Sequence, residues 1–305
     1  MKKYLSYLYV ILGAACWGFM GLFNRMLAAA NATMGDRLVL RNTGALVLMT
    51  VVFLCVNRRV FRIQPKHLPI FLGSGVLSIV GLSWAYFSCQ MLCSLAVAGV
   101  LLYLAPSFVV LASALLWKEK LTLRRALSVL LALLGCALVS GIMVGDLTVS
   151  VSGLLFGIAS GLCYASYTVF AHYGLQHYES YTMIYWTFVV AGLTSLLWLD
   201  VPSLGMVLHQ PKGILGAVGL VVIATVLPYF FYTKGLEGVE SGLASVIANV
   251  EPVVAALVGI FIFRETPTVW TVAGIVLVLI AAVILAKGDK SYAEKRGENQ
   301  RHAPA

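Results

Sequence analysis

Between Glu240 and Arg264 the chain is apolar except for one charged residue, Glu251, which is followed directly by Pro252. An ionised carboxylate inside an apolar helix is expensive, so it must face a cavity, find a partner or hold a proton. That chemistry suits proton coupling or capture of a cationic group. The plainer alternative is a structural acid bonded to a neighbouring helix. Arg41 lies about one turn into a different apolar segment. There it could meet a carboxylate or phosphate on a ligand, or reach back to the interface. Tyr164 with Tyr167, and Tyr229 with Tyr232, are i, i+3 pairs that each share a helix face. Trp17, Tyr86, Tyr103 and Asn249 fall at related places, Tyr103 one turn before Pro106 and Asn249 similarly placed before Pro252. Together these side chains could line a cavity for a flat or amphipathic solute, although each could equally serve packing or an interface belt.

Other polar residues invite plainer readings. Lys234 stands near Glu237 and Glu240, as in an interfacial ion cluster, and His172 and His177 flank a loop as solvated histidines would. Cys89 and Cys93 have no second pair and no nearby histidine, so no metal site or cofactor is expected. There is no HExxH, no GxSxG and no pair of mid-segment carboxylates, which argues against an intramembrane enzyme.

The elements that must hold these residues follow from composition. The chain has 305 residues, 61% hydrophobic and 11% charged, with mean hydropathy +0.94. Its apolar runs are long enough to cross a bilayer. Ten spans are expected, over 5–27, 37–57, 68–91, 95–117, 123–144, 151–172, 180–200, 213–233, 241–263 and 268–286. The loops are short, and the polar segment 287–305 reads as a disordered basic tail. The N-terminal run resembles a secretory signal, but Trp17, Asn24 and Arg25 are unlike one, so it reads as a retained first helix. All six cysteines fall inside spans and are expected as free thiols.

The chain also repeats itself. A shift of 146 residues carries Pro106 to Pro252, Lys118-Glu119 to Arg264-Glu265 and Thr122 to Thr268; a shift of 147 carries Trp17 to Tyr164. Each copy, 5–144 and 151–286, holds five spans, an odd number, so the second copy should lie upside down relative to the first. Charge agrees: with both termini in the cytoplasm, 16 of the 21 Lys and Arg residues fall inside, as the positive-inside bias requires. The net charge of +9 is mostly this topological signal and needs no nucleic-acid partner. Inverted repeats mark secondary transporters, with the site near the midplane between the halves. Proline at that depth disturbs the helix and can expose carbonyls or act as a hinge. The stripe Gly153, Gly157, Gly161 and Ala165 reads as close helix packing.

The tracts NVEPVVAALVGIFIFRETPT, YLAPSFVVLASALLWKEKLT and YFFYTKGLEGVESGLASVIANVEP give the chain a likeness to a known family. Over residues 5–286 it resembles the EamA-type branch of the drug/metabolite transporter superfamily. One departure is Ala105, which stands where the second half has Glu251. The resemblance implies a multi-pass protein of the inner membrane that exports amino acids, other small metabolites or drugs, without fixing the solute. The combined expectation is an all-α membrane protein of ten helices in two inverted repeats, working by alternating access. Its partners would be a small solute, the lipid bilayer and protons as coupling ion, with the oligomeric state open. A channel or uncoupled facilitator is the alternative, although no ring of charges or carbonyl filter is apparent.

Overall fold

In a computed structural model the described residues are 2–93, 95–118, 122–140, 143, 150–281 and 283–284. The expected tail over 287–305 and the Glu119 and Lys120 charges lie outside them. Regular structure among the described residues is helical throughout. Eight helices are long and apolar enough to cross a membrane. They are α1 (Tyr4–Ala29), α2 (Met34–Val56), α3 (Pro65–Leu92), α4 (Val97–Trp117), α6 (Val151–Gly174), α7 (Ser180–Trp198), α8 (Pro211–Leu236) and α9 (Ser241–Phe263). Two shorter helices, α5 (Leu123–Val139) and α10 (Val269–Ala281), occupy the fifth and tenth expected places. A short helix, Val201–Leu208, joins α7 to α8.

The boundaries have local causes. Thr33 and Asp36 form a capping box at the start of α2, satisfying two end N–H groups reciprocally. Thr122 and Ser150 cap α5 and α6 by accepting backbone N–H bonds. Helices α4 and α9 both end on a left-handed residue, Lys118 (φ 55°) and Arg264 (φ 57°). These two stops stand 146 residues apart, and so do the Thr122 and Thr268 hydroxyls that each accept an N–H three residues on. Helices α3 and α8 each pass through a π-helical stretch, Gly73–Gly81 and Val222–Val226. The 147-residue shift overlays the second stretch on the first. Helices α4 and α9 break just before their prolines, at Tyr103–Leu104 and Ala248–Asn249. α1 breaks after Gly18.

Packing crosses between the halves. α1 lies against α8 and α9, and α6 lies against α3 and α4, while α2 and α7 pack on each other. Two glycines let helix backbones approach closely in these contacts. A Cβ on Gly18 would sit 2.9 Å from the Glu251 carbonyl oxygen, and one on Gly161 2.8 Å from that of Leu101. Hydroxyl and amide pairs join helices in the interior: Ser74 with Thr187 at 2.7 Å, Ser78 with Ser166 at 2.6 Å, and Asn42 Nδ2–H donating to Ser195 at 2.9 Å. Bonds of this kind hold helices together where lipid removes any hydrophobic drive. Large apolar side chains such as Leu115, Leu197 and Phe261 point outward, as a lipid-facing surface requires.

Long-range contacts define two ends of the bundle. At the N-terminal end Ser6 lies against Gly238, Gln64 N–H donates to Tyr178, and Arg125 pairs with Glu240. At the opposite end Ser203 donates to Asp36, Gln210 to the Ala30 carbonyl, and Arg25 pairs with Glu265. Successive helices alternate between these ends.

Candidate functional site

Glu251 sits in the first turn of the helix that resumes after the α9 break. Its carboxylate accepts a hydrogen bond of 2.9 Å from the Tyr164 hydroxyl of α6. The acid thus faces a neutral donor on a helix it does not belong to. Around them α4, α6, α8 and α9 enclose a cavity whose wall includes Tyr103, Pro106, Tyr164, Tyr232, Asn249 and Glu251. About 300 Å³ there is free of atoms. The space is narrow, with room for about one water molecule.

Trp17 of α1 packs behind the wall tyrosines. Its ring meets Tyr164, Tyr229 and Tyr232 at centroid distances of 6.1, 5.2 and 5.3 Å. The first two contacts are edge-to-face, the geometry favoured by the ring quadrupole. The Tyr232 hydroxyl is paired with Thr168 at 2.8 Å, and that of Tyr167 with Thr233 at 2.6 Å. The structure therefore brings Trp17, Tyr164, Tyr229, Tyr232 and Glu251 into one cluster drawn from four helices.

Arg41 turns inward, away from the interface. Its guanidinium donates to Ser83 and to Tyr229, both at 3.5 Å, and its Nε has no hydrogen-bond partner. It makes no ion pair among the described residues. The cation is consequently held by two hydroxyls at the edge of the aromatic cluster. The interface alternative left open by the sequence is not the arrangement observed.

Asn249 is 3% exposed, and its Nδ2 has no partner. A buried amide donor aimed at a cavity is costly unless something accepts from it. Pro252 is buried behind the wall, in the first turn after the break. Tyr86 is not a wall residue; it packs against the buried cluster that includes Cys89 and Cys93, within electrostatic reach of Glu251 and Tyr103. Two further wall residues, Thr168 and Ser245, escaped the sequence reading. Each stands four positions from a residue already singled out, Tyr164 and Asn249, so helical periodicity could have found them.

The outlying polar residues also resolve. Lys234 pairs with Glu237 at 2.6 Å as expected, whereas Glu240 pairs with Arg125 of the other half. His172 stacks on Trp117 at 3.8 Å, and His177 on His67 at 4.2 Å, so neither ring is simply solvated. The cysteines are free thiols. Among the described residues no group of three or more His, Cys, Asp or Glu is placed to hold a metal ion.

Comparison with known proteins gives one consistent result. The profile of the EamA-like transporter family matches residues 4–141 and again 151–287. An uncharacterized transporter of Archaeoglobus fulgidus is 29% identical over 213 residues, covering 70% of this chain and 74% of that one. The uncharacterized inner membrane transporter YicL of Salmonella typhimurium is 26% identical over 199 residues, covering 65% and 66%. The pseudopaline exporter CntI of Pseudomonas aeruginosa is 24% identical over 261 residues, covering 79% and 82%. A solved crystal structure superposes with a TM-score of 0.76 at 20% identity, covering 92% of this chain and 95% of that one.

Proposed function

Because the chain belongs to the EamA-like transporter family, we propose that it is a secondary transporter moving a small metabolite across the cytoplasmic membrane by alternating access. The observation that carries this reading is the Glu251–Tyr164 bond at the wall of an aromatic cavity bounded by helices of both halves. A carboxylate held by one neutral hydroxyl can exchange that partner for a proton or for a cationic group on a solute. Asn249 Nδ2 offers a second, unoccupied donor beside it.

In this reading α1–α5 and α6–α10 are two inverted five-helix repeats over 5–144 and 151–286, and 287–305 is a cytoplasmic tail. The repeated stops at Lys118 and Arg264, the paired π-helical stretches and the alternation of helix ends all support it. The uneven distribution of Lys and Arg supports both termini lying in the cytoplasm. Export is the direction favoured, in keeping with the name of the Pseudomonas aeruginosa relative. Protons are the coupling ion proposed, acting at Glu251. An uncoupled facilitator would need neither the acid nor its donor.

The test is flux in proteoliposomes over a panel of amino acids, nucleobases and cationic drugs, with and without a pH gradient. Saturable flux stimulated by solute on the opposite side is expected. A linear, unsaturable flux would indicate a channel, and no flux for any solute would remove the transporter reading.

A further inference from the structure

Two stacked pairs close the two ends of the bundle, and they are the same contact built twice. At one end the Arg25 guanidinium of α1 lies 4.1 Å from the ring centroid of Phe263, the last residue of α9. At the other end His172 of α6 stacks on Trp117, the last residue of α4, at 3.8 Å and 21°. A shift of 147 carries Arg25 to His172, and a shift of 146 carries Trp117 to Phe263. A polar bond backs each stack: Arg25 with Glu265 at 2.8 Å, and His172 with Ser241 at 3.1 Å. Each aromatic ring directly precedes one of the left-handed helix stops, Lys118 or Arg264, which fixes where the ring sits.

Three of the helices these pairs join wall the cavity and the fourth packs behind it: α4 brings Tyr103 and Pro106, α6 Tyr164 and α9 Glu251, while Trp17 of α1 packs on the wall residues Tyr164 and Tyr232. A solute leaving toward one end must part α1 from α9; leaving toward the other, it must part α6 from α4. Three of these helices break near the depth of the site, after Gly18, at Tyr103–Leu104 and at Ala248–Asn249. A break there lets the end segment swing while the rest of the helix stays packed. An exposed cation–π contact with its ion pair is weak, and a single ring stack backed by one hydrogen bond is of similar size, so thermal motion can open either on every cycle. With both pairs made, the cavity has room for about one water molecule, too little for a solute to pass between the two ends.

Resting on the transporter reading above, we propose that Arg25–Phe263 and His172–Trp117 are the two gates, opened in alternation. Opening one exposes the cavity to one side of the membrane; opening the other exposes it to the opposite side. The two gates differ in chemistry: the first sets a permanent cation on a phenyl ring, backed by an ion pair, and the second an imidazole on an indole, backed by a hydroxyl.

The experiment uses Ser245→Cys as a reporter in the cavity wall and a membrane-impermeant maleimide. The reagent is applied to right-side-out and to inside-out vesicles. Labelling is read peptide by peptide by mass spectrometry, so the six native cysteines stay in place. Phe263→Leu should raise labelling from the Arg25 end about two- to fivefold, as expected for losing one exposed cation–π contact, and lower it from the other end. Trp117→Leu should do the reverse. Arg25→Gln, which leaves the ring in place, should repeat the Phe263→Leu result. If the reporter is labelled from both sides and no gate variant shifts the ratio, or every variant raises both sides alike, the gate assignment fails and the transporter reading stands. If the reporter is unreachable from either side in every variant, and flux is also absent, both fall.

Discussion

Glu251→Gln separates a transport role for the acid from a structural one. Glutamine keeps the shape of glutamate and can still accept the 2.9 Å bond from Tyr164. A hydrogen bond to a charged group contributes about 1.5–3 kcal/mol and a neutral one about 0.5–1.5 kcal/mol, so the bond weakens by roughly 1–1.5 kcal/mol. Part of that is offset because a neutral amide no longer has a charge to desolvate. The melting temperature in detergent should therefore move by only a few degrees. Transport should respond very differently. Losing an ionic contact of about 1–3 kcal/mol raises the half-saturation concentration of a cationic solute about 5- to 150-fold. A proton-driven flux should in addition lose its dependence on the pH gradient. The assays are thermal melting of the purified protein and flux in proteoliposomes across a pH series. Unchanged flux and an unchanged pH profile would refute the reasoning. So would a large drop in melting temperature with flux falling only in proportion to the folded fraction, which would make the acid structural.

Other consequences are as direct. Gly18→Ala would place a Cβ 2.9 Å from the Glu251 carbonyl oxygen and should destabilise by about 1–3 kcal/mol. Gly21→Ala meets nothing within 4 Å and should be neutral or stabilising by about 0.5–1 kcal/mol, measured by the same melts. Ser203→Ala removes a 2.7 Å bond to the buried Asp36 carboxylate and should lower stability by about 1.5–3 kcal/mol with half-saturation for the solute unaltered. Moving the acid to the other half, Glu251→Ala with Ala105→Glu, should leave flux abolished, since the counterpart of the Tyr164 hydroxyl there is the Trp17 ring; recovered flux would show that the donor is dispensable.

The all-helical, membrane-spanning character of the chain was legible because it depends on local pattern, and eight of the ten expected spans are helices long and apolar enough to cross a membrane. Apolar run length marks a span, and Pro106, Pro252 and the Thr122 and Thr268 caps recur at one offset whatever surrounds them. The break before each proline follows from the missing N–H. The π-helical stretches were not legible. Their hydroxyls bond across helices or to a carbonyl five residues back, as Ser74 does with Thr187 and Thr225 with Leu220, and sequence does not display such partners. Arg41 was ambiguous for the same reason: its direction depends on Ser83 and Tyr229, which lie 42 and 188 residues away. Glu240 could be seen to need a cation, but Lys234 was the near candidate in sequence and Arg125 is the near one in space. Likewise Glu251 could be flagged for its cost, whereas Tyr164 as its donor could not be inferred from spacing.

The two halves are alike in their mechanics and unlike in their chemistry. Helix stops, the breaks before Pro106 and Pro252, the π-helical stretches and the end stacks recur near the repeat offset, whereas the α1 break after Gly18 has no counterpart in the continuous α6; on the proposed reading these are the features that bend, hinge and close. The cavity side chains do not recur: Glu251 stands opposite Ala105, Asn249 opposite Tyr103, and Tyr164 opposite Trp17. A two-fold-symmetric motion requires equivalent hinges, because exposing either side must cost about the same for both states to be populated. Recognition carries no such requirement. A solute without two-fold symmetry is bound better by an asymmetric wall, and one carboxylate avoids the repulsion that two would suffer in so narrow a space. On the proposed reading duplication supplies the motion and divergence the selectivity, so the residues expected to distinguish one solute from another are those where the repeat fails, Glu251, Asn249 and Tyr164.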